Sequence, residues 1–213
     1  SVSLFYKDID TYIQTLRETR PFNTTGLPLE LLAVSGLPAD TPFDITSPVN
    51  TTGGPLQGFE INYQQPFSFL PGVWSGFGLL LNYTHVESEI DYAISPTSSL
   101  FVTADLVNLS PDAYNATFYY ENKRFSARVS GSYRDRYLQT VPGRNGNNFE
   151  GKNETFNVDA NLTYNVNDKL TLTLEGINLT DEYNDQFVDT VGDRASVYHH
   201  TGRQYFVGAR YAF

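Results

Sequence analysis

Arg203-Gln204-Tyr205-Phe206-Val207-Gly208-Ala209-Arg210-Tyr211-Ala212-Phe213 is the stretch whose reading decides the fold. Tyr205, Val207, Ala209, Tyr211 and Phe213 fall on one side of an extended strand, and Gln204, Gly208 and Arg210 on the other, with Phe206 the one exception. Alternation with period two means a strand lying between two different environments. Soluble domains usually fray at their termini, whereas here the pattern holds to a final aromatic residue. That suits a strand whose apolar side meets lipid, with Phe213 at the membrane interface.

The same alternation recurs upstream. Phe156, Val158, Ala160, Leu162 and Tyr164 alternate with Asn157, Asp159, Asn161 and Thr163. Phe125, Ala127, Val129, Gly131 and Tyr133 alternate with Ser126, Arg128, Ser130, Ser132 and Arg134. Tyr114, Ala116, Phe118 and Tyr120 behave likewise, as do Phe59, Ile61 and Tyr63. The apolar sides tend to end in Tyr or Phe, the placement of the aromatic girdles of a membrane barrel. A soluble β-sandwich would show alternation too, but would bury its apolar side in a facing sheet.

Composition narrows the choice. The 213 residues suffice for one all-β domain, and mean hydropathy is -0.34. The longest apolar runs, such as Phe77 to Leu81, fall far short of the roughly 18 residues a spanning helix needs. Barrel strands need only about 9–11 residues with alternate ones apolar, so low hydropathy does not exclude the membrane. Cysteine is absent, which removes disulfides and thiolate metal sites. A net charge of -10 argues against nucleic acid as a partner.

Eight antiparallel strands in chain order are expected: Val2–Leu16, Asp44–Gln65, Phe77–Glu89, Asp105–Glu121, Arg124–Leu138, Glu154–Tyr164, Lys169–Thr180 and Tyr198–Phe213. Short turns at Glu121–Arg124, Asn165–Lys169 and Phe67–Ser75 alternate with long polar connections at Glu18–Phe43, Ser88–Ala104, Gln139–Asn153 and Asp181–Val197. Short turns at one end and long loops at the other is the polarity of an outer-membrane barrel, which puts Phe213 on the short-turn side. Asn-X-Thr triplets such as Asn161-Leu162-Thr163 read as wet strand faces rather than glycan acceptors.

Two segments carry a family likeness. Leu174-Glu175-Gly176-Ile177-Asn178-Leu179-Thr180-Asp181-Glu182-Tyr183 and Tyr198-His199-His200-Thr201-Gly202-Arg203-Gln204-Tyr205, with the closing Gly208–Phe213, resemble the end of a TonB-dependent outer-membrane receptor. Leu4–Ile9 and Gly58–Tyr63 resemble earlier strands of the same barrel. The likeness leans to a group common in Caulobacter- and Xanthomonas-like bacteria, many of them linked to carbohydrate uptake. It implies an antiparallel transmembrane β-barrel of about 22 strands with a plugged lumen. This chain has room for about eight strands and nothing that reads as a plug, so the expectation is the C-terminal part of such a barrel domain, the plug and N-terminal strands lying outside residues 1–213. The partners implied are outer-membrane lipid, the remaining barrel and plug, the TonB-ExbB-ExbD complex acting through that plug, and the barrel-assembly machinery. Tyr205, Val207, Tyr211 and Phe213 would be that machinery's C-terminal signal. The ligand implied is an oligosaccharide in preference to an iron-siderophore. A self-contained eight-stranded barrel or adhesin, and a secreted glycan-binding sandwich, are the alternatives.

Candidate ligand contacts fall in the loops and on the polar strand faces. Arg128, Arg134 and Arg136 share one side of a strand, as a cationic track or as wall charges paired with Asp159 or Glu121. Phe149, Tyr183, Phe187 and Tyr198 offer aromatic faces in or beside the long loops, accompanied by Asp185, Arg194 and His199. Adjacent His199 and His200 point oppositely and make a poor ligand pair, and the acidic loop from Asp181 lacks calcium-loop spacing, so neither a metal nor a cofactor is expected. No nucleophile elbow, zincin motif or phosphate loop occurs; His85 near Ser88 is the faintest catalytic suggestion, and no enzyme is expected.

Overall fold

The computed structural model describes residues 1–96 and 99–213. In chain order its strands are β1 (Val2–Asp8), β2 (Thr11–Pro21), β3 (Pro42–Thr52), β4 (Pro55–Pro66), β5 (Phe77–Ser88), β6 (Ile90–Ala93), β7 (Phe101–Ala104), β8 (Asp112–Glu121), β9 (Phe125–Arg134), β10 (Tyr137–Thr140), β11 (Glu150–Lys152), β12 (Thr155–Asn165), β13 (Leu170–Ile177), β14 (Gln186–Val188), β15 (Arg194–Val197) and β16 (Gln204–Tyr211). Eight of them form one antiparallel sheet, in the order β1-β4-β5-β8-β9-β12-β13-β16. Its short connections all lie at the end where Phe213 lies.

The register turns the one-strand pattern into whole-sheet rows. Val2, Ile61, Tyr83, Tyr114, Tyr133 and Phe156 stand side by side across six strands. Phe77, Tyr120, Ala127, Leu162, Leu174 and Val207 form a second apolar row. The opposite face carries rows such as Asn62, Asn82, Asn115, Ser132 and Asn157. A slip of one residue anywhere would swap lipid-type for water-type side chains along a whole strand, which is what fixes the register. The second row enters at the foot of β5 and leaves β16 with Tyr211 still four residues below it; this is the stagger of tilted barrel strands.

Leu4 and Val207, on the apolar face, are 81% and 86% exposed. No second sheet covers that face among the described residues, which removes the sandwich alternative. Aromatic residues bound the band: Tyr114, Tyr133 and Phe156 above, Phe77, Tyr120, Phe125, Tyr164 and Tyr211 below. Phe156 to Tyr164 is eight residue steps, about 26 Å of strand and about 20 Å of height at a tilt near 40°. Trp74 stacks on Phe77 at the lower girdle, 5.7 Å between centroids. The sheet does not close: β1 and β16 are each paired on one side only.

Several boundaries differ from expectation. The first strand runs on past Leu16 to Pro21 after a break at Ile9-Asp10, and pairs throughout with Pro42–Pro66. Gly53 and Gly54 permit the break: a Cβ on Gly53 would lie 1.8 Å from the Ile9 carbonyl oxygen, and one on Gly54 1.9 Å from that of Glu89. The fourth wall strand starts at Asp112 rather than Asp105, and the eighth at Gln204 rather than Tyr198. The long connections contain strands of their own: β2–β3, β6–β7, and a four-stranded sheet β10-β11-β14-β15.

Candidate functional site

Those loop strands stack into a tier above the wall, and the chain's charge collects there. Residues 9–54, 86–111, 135–154 and 178–203 carry seventeen Asp and Glu against seven Lys and Arg, while the remaining residues carry seven of each. The wall is electrically balanced and the tier holds the entire net charge of -10.

The tier has a core of its own. Ile90, Tyr92 and Val141 are buried together, flanked by Tyr12, Val102, Leu138 and Phe149. Gln14 is 3% exposed and fully used: its amide donates to the carbonyls of Ala93 at 2.8 Å and Val141 at 3.0 Å and accepts from the Ala93 N–H at 3.0 Å. One side chain thus joins β2, β6 and the loop after β10. The Tyr92 hydroxyl donates to the Asp105 carbonyl and accepts from the Val107 N–H, and burial pushes its pKa up to about 12. Burial also raises the Asp105 carboxyl. Glu150, 7% exposed, takes the Arg144 N–H at 2.6 Å and its guanidinium at 2.8 Å, pinning the Val141–Phe149 loop.

The family-like segment Asn178–Tyr183 forms a knot. Asn178 and Asp181 have φ of 54° and 60°, the left-handed region that Asn and Asp tolerate. Asn178 is buried; its side-chain amide donates to the carbonyls of Glu182 and Gly202 and accepts from the Glu182 N–H. Asp159 accepts from the Asn178 N–H, and Thr180 donates to the Phe156 carbonyl. His200 stacks on Tyr183 and hydrogen-bonds Asp181 at 2.9 Å. The segment therefore ties the top of β13 to β12 and to the approach of β16, which is why β16 begins late.

The expected contact residues separate into anchored and open ones. Arg134 is anchored: it donates to Ser110 and to the Asn108 carbonyl and lies 3.9 Å over the Tyr137 ring. Arg136 covers the ring of Phe187, which is 1% exposed and fills the space over Gly151. Phe149 packs against the tier core. Tyr183 and Tyr198 stay exposed with centroids 5.1 Å apart. His199 is exposed, Arg194 is held only loosely by Asp189 and Asn147 at 3.5 and 3.4 Å, and one carboxylate oxygen of Asp185 is buried without a partner among the described residues. Arg128 stands exposed on the polar wall face opposite Asn161, and no ion pair to Asp159 or Glu121 forms among the described residues. His85 pairs with Asp112 on the apolar face, while Ser88 points the other way and accepts from the Leu106 N–H, so the two do not meet. Among the described residues no group of three or more His, Asp or Glu is placed to hold a metal. Sequence reasoning missed Gln14, Glu150 and the Gly53-Gly54 break; only the glycine pair inside a long strand pattern left a readable signal.

The sheet with its girdles, its open edges and its loop tier now has a counterpart. The family model described as TonB dependent receptor-like, beta-barrel, matches residues 1–179. The chain belongs to the TonB-dependent receptor family. These receptor barrels sit in the bacterial outer membrane, which is where the apolar rows of this sheet meet lipid. Among solved structures, the siderophore receptor PiuA from Acinetobacter baumannii superposes with a TM-score of 0.51 at 17% identity, over 74% of this chain and 22% of its own. A mutant of the ferric enterobactin receptor PfeA from Pseudomonas aeruginosa does so with a TM-score of 0.58 at 14% identity, over 100% and 28% respectively. The chain therefore spans well under a third of the length of these receptors, with which it shares the fold. No curated protein matches it in sequence.

Proposed function

We propose that residues 1–213 are the C-terminal part of the wall and mouth of a TonB-dependent receptor that imports a large polar nutrient. The observation that carries this is the open sheet: β1 and β16 expose unpaired backbone edges. In lipid each unsatisfied backbone group costs several kcal/mol, so both edges require further strands of the same barrel. The plug, its coupling to the TonB-ExbB-ExbD complex and the remaining strands would lie in sequence outside this segment. Tyr205, Val207 and Tyr211 on the outer face of β16, with Phe213 just beyond its end, are the surface offered to the barrel-assembly machinery.

The charge of the tier favours an oligosaccharide over an anionic iron-siderophore. A mouth with ten excess carboxylates repels anions and is indifferent to a neutral sugar chain. The siderophore named for each of the two solved receptors belongs to those proteins, and at 14–17% identity their likeness speaks for the fold. Deleting the gene should abolish growth on at least one oligosaccharide as sole carbon source while leaving growth under iron limitation intact. The converse pattern, normal growth on every sugar and failure under iron limitation, overturns the substrate assignment.

A further inference from the structure

A cleft of about 930 Å³ opens in the tier between β2 and the loop that follows β10. We propose that it is a capture subsite for a neutral, polyhydroxylated chain, a glycan segment of a few residues. The proposal rests on the import reading and narrows its substrate class. The volume lies in the range of about 300–1,000 Å³ typical of ligand sites.

Charge pairing decides the chemistry. Every charged side chain on the cleft wall already has an opposite partner: Arg17 with Asp44, Glu18 with Arg20, Arg144 with Glu150. An anion entering here would find no spare cation, and a cation no spare carboxylate. What the wall does offer is amides. Gln139, Asn145 and Asn148 line the cleft, and their side chains make no hydrogen bond to any described residue. Each brings two donors and an acceptor, which matches hydroxyl groups that both donate and accept.

The floor and the mounting agree with that. Tyr12, backed edge to face at 5.7 Å by the buried ring of Tyr92, forms with Val102 a half-buried apolar floor that the C–H face of a sugar ring can cover. A phenol is uncharged at neutral pH, and burial raises the pKa of both still further from it. Gln14 holds one wall to the other through Ala93 and Val141, and Glu150 pins the asparagine-bearing loop through Arg144. A site ordered before the ligand arrives forfeits less affinity to loop ordering. The smaller cleft of about 490 Å³ beside Arg136 and Phe187 differs, since Glu89 and Asp105 leave it charged.

The test uses the full-length receptor in its native outer membrane, on cells de-energised with an uncoupler so that binding is read without uptake. Fluorescent malto-, xylo-, cello- and arabino-hexaose are the neutral probes and a ferric catecholate is the anionic one. For at least one hexaose, Asn145→Ala/Asn148→Ala should weaken binding by about 10- to 100-fold at unchanged surface level, from the hydrogen bonds lost. Val191→Ala, at a 93% exposed loop position outside the cleft, should leave it unchanged. Binding of no hexaose by the wild type, or equal affinity in the double variant, overturns the subsite; so does weakening of the catecholate alone. A hexaose that is bound through Asn145 and Asn148 but not taken up by energised cells would leave the subsite standing and bring down the import reading.

Discussion

The wall and the tier above it are built on opposite rules from one continuous chain. In the wall neither face is a core. Stability comes from ladder hydrogen bonds and from side-chain rows that meet lipid on one side and water on the other. Charge is balanced, and turns are as short as Asn122–Arg124. In the tier, short strands enclose a small conventional core, buried polar groups are satisfied one by one, and carboxylates dominate. The lesson is that solvent sets the rule: where lipid supplies the apolar phase the chain needs no interior, and where water is on all sides it must make one.

The sharpest way to break that contrast lies in two adjacent residues of β12. Ala160 sits midway between Phe156 and Tyr164 on the lipid row, and Asn161 faces the polar side opposite Arg128. Ala160→Arg should destabilise the barrel by about 2–4 kcal/mol, the cost of a cation near the bilayer midplane. Asn161→Arg should cost well under 1 kcal/mol, because water screens it from Arg128. Folded receptor in the outer membrane, read by heat-modifiable gel migration, should drop for the first and stay near wild type for the second. Equal losses from both would mean that the two faces are not lipid and water.

A middle-sized effect separates tier from wall. Gln14→Leu removes three hydrogen bonds and leaves the Ala93 N–H and the carbonyls of Ala93 and Val141 buried without their partner. Each such group costs about 1–3 kcal/mol when unsatisfied, partly relieved if water enters. Amide exchange should accelerate at least 10-fold in residues 90–94 and 139–141, with wall amides unchanged. Acceleration spread into β12 and β13 would show that tier and wall unfold as one unit.

The wall was the legible half because two signals reinforce each other there. Alternation gives the strand and its face, and the aromatic ends give the depth, as in Phe156 and Tyr164. The tier was not legible for a local reason. Glu150-Gly151-Lys152 and Gln186-Phe187-Val188 are strands by virtue of each other, and three residues carry no periodicity. Phe187 read as an open loop aromatic, yet the missing side chain of Gly151 makes the space that buries it, and only pairing brings them together. Nothing in the local sequence singles out Gln14; its buried hydrogen bonds depend on Val141, 127 positions away. The family-like Asn178–Tyr183 segment was recognisable as a motif, but its architectural work emerges only once Gly202 and Phe156 are seen beside it.

The smallest difference should appear only in alkali, and its sign follows from burial. The Tyr92 phenol titrates at about 12 against an ordinary value of 10.0, first because burial penalises the phenolate, with the charges of Tyr12 and Asp105 adding to this and the Val107 hydrogen bond opposing it. An acid whose folded pKa is raised favours folding fully below its unfolded value and loses that contribution as pH climbs through the folded one. Tier amides around Tyr92 should therefore keep their protection up to about pH 10 and lose it progressively towards pH 12. Tyr92→Phe should start from lower protection, having lost both hydroxyl hydrogen bonds, and show a shallower alkaline fall. The fall persists in part because burial raises Tyr12 as well. An unchanged alkaline profile in Tyr92→Phe would mean that the tier core opens through another group, and that its buried phenol does not set its limit.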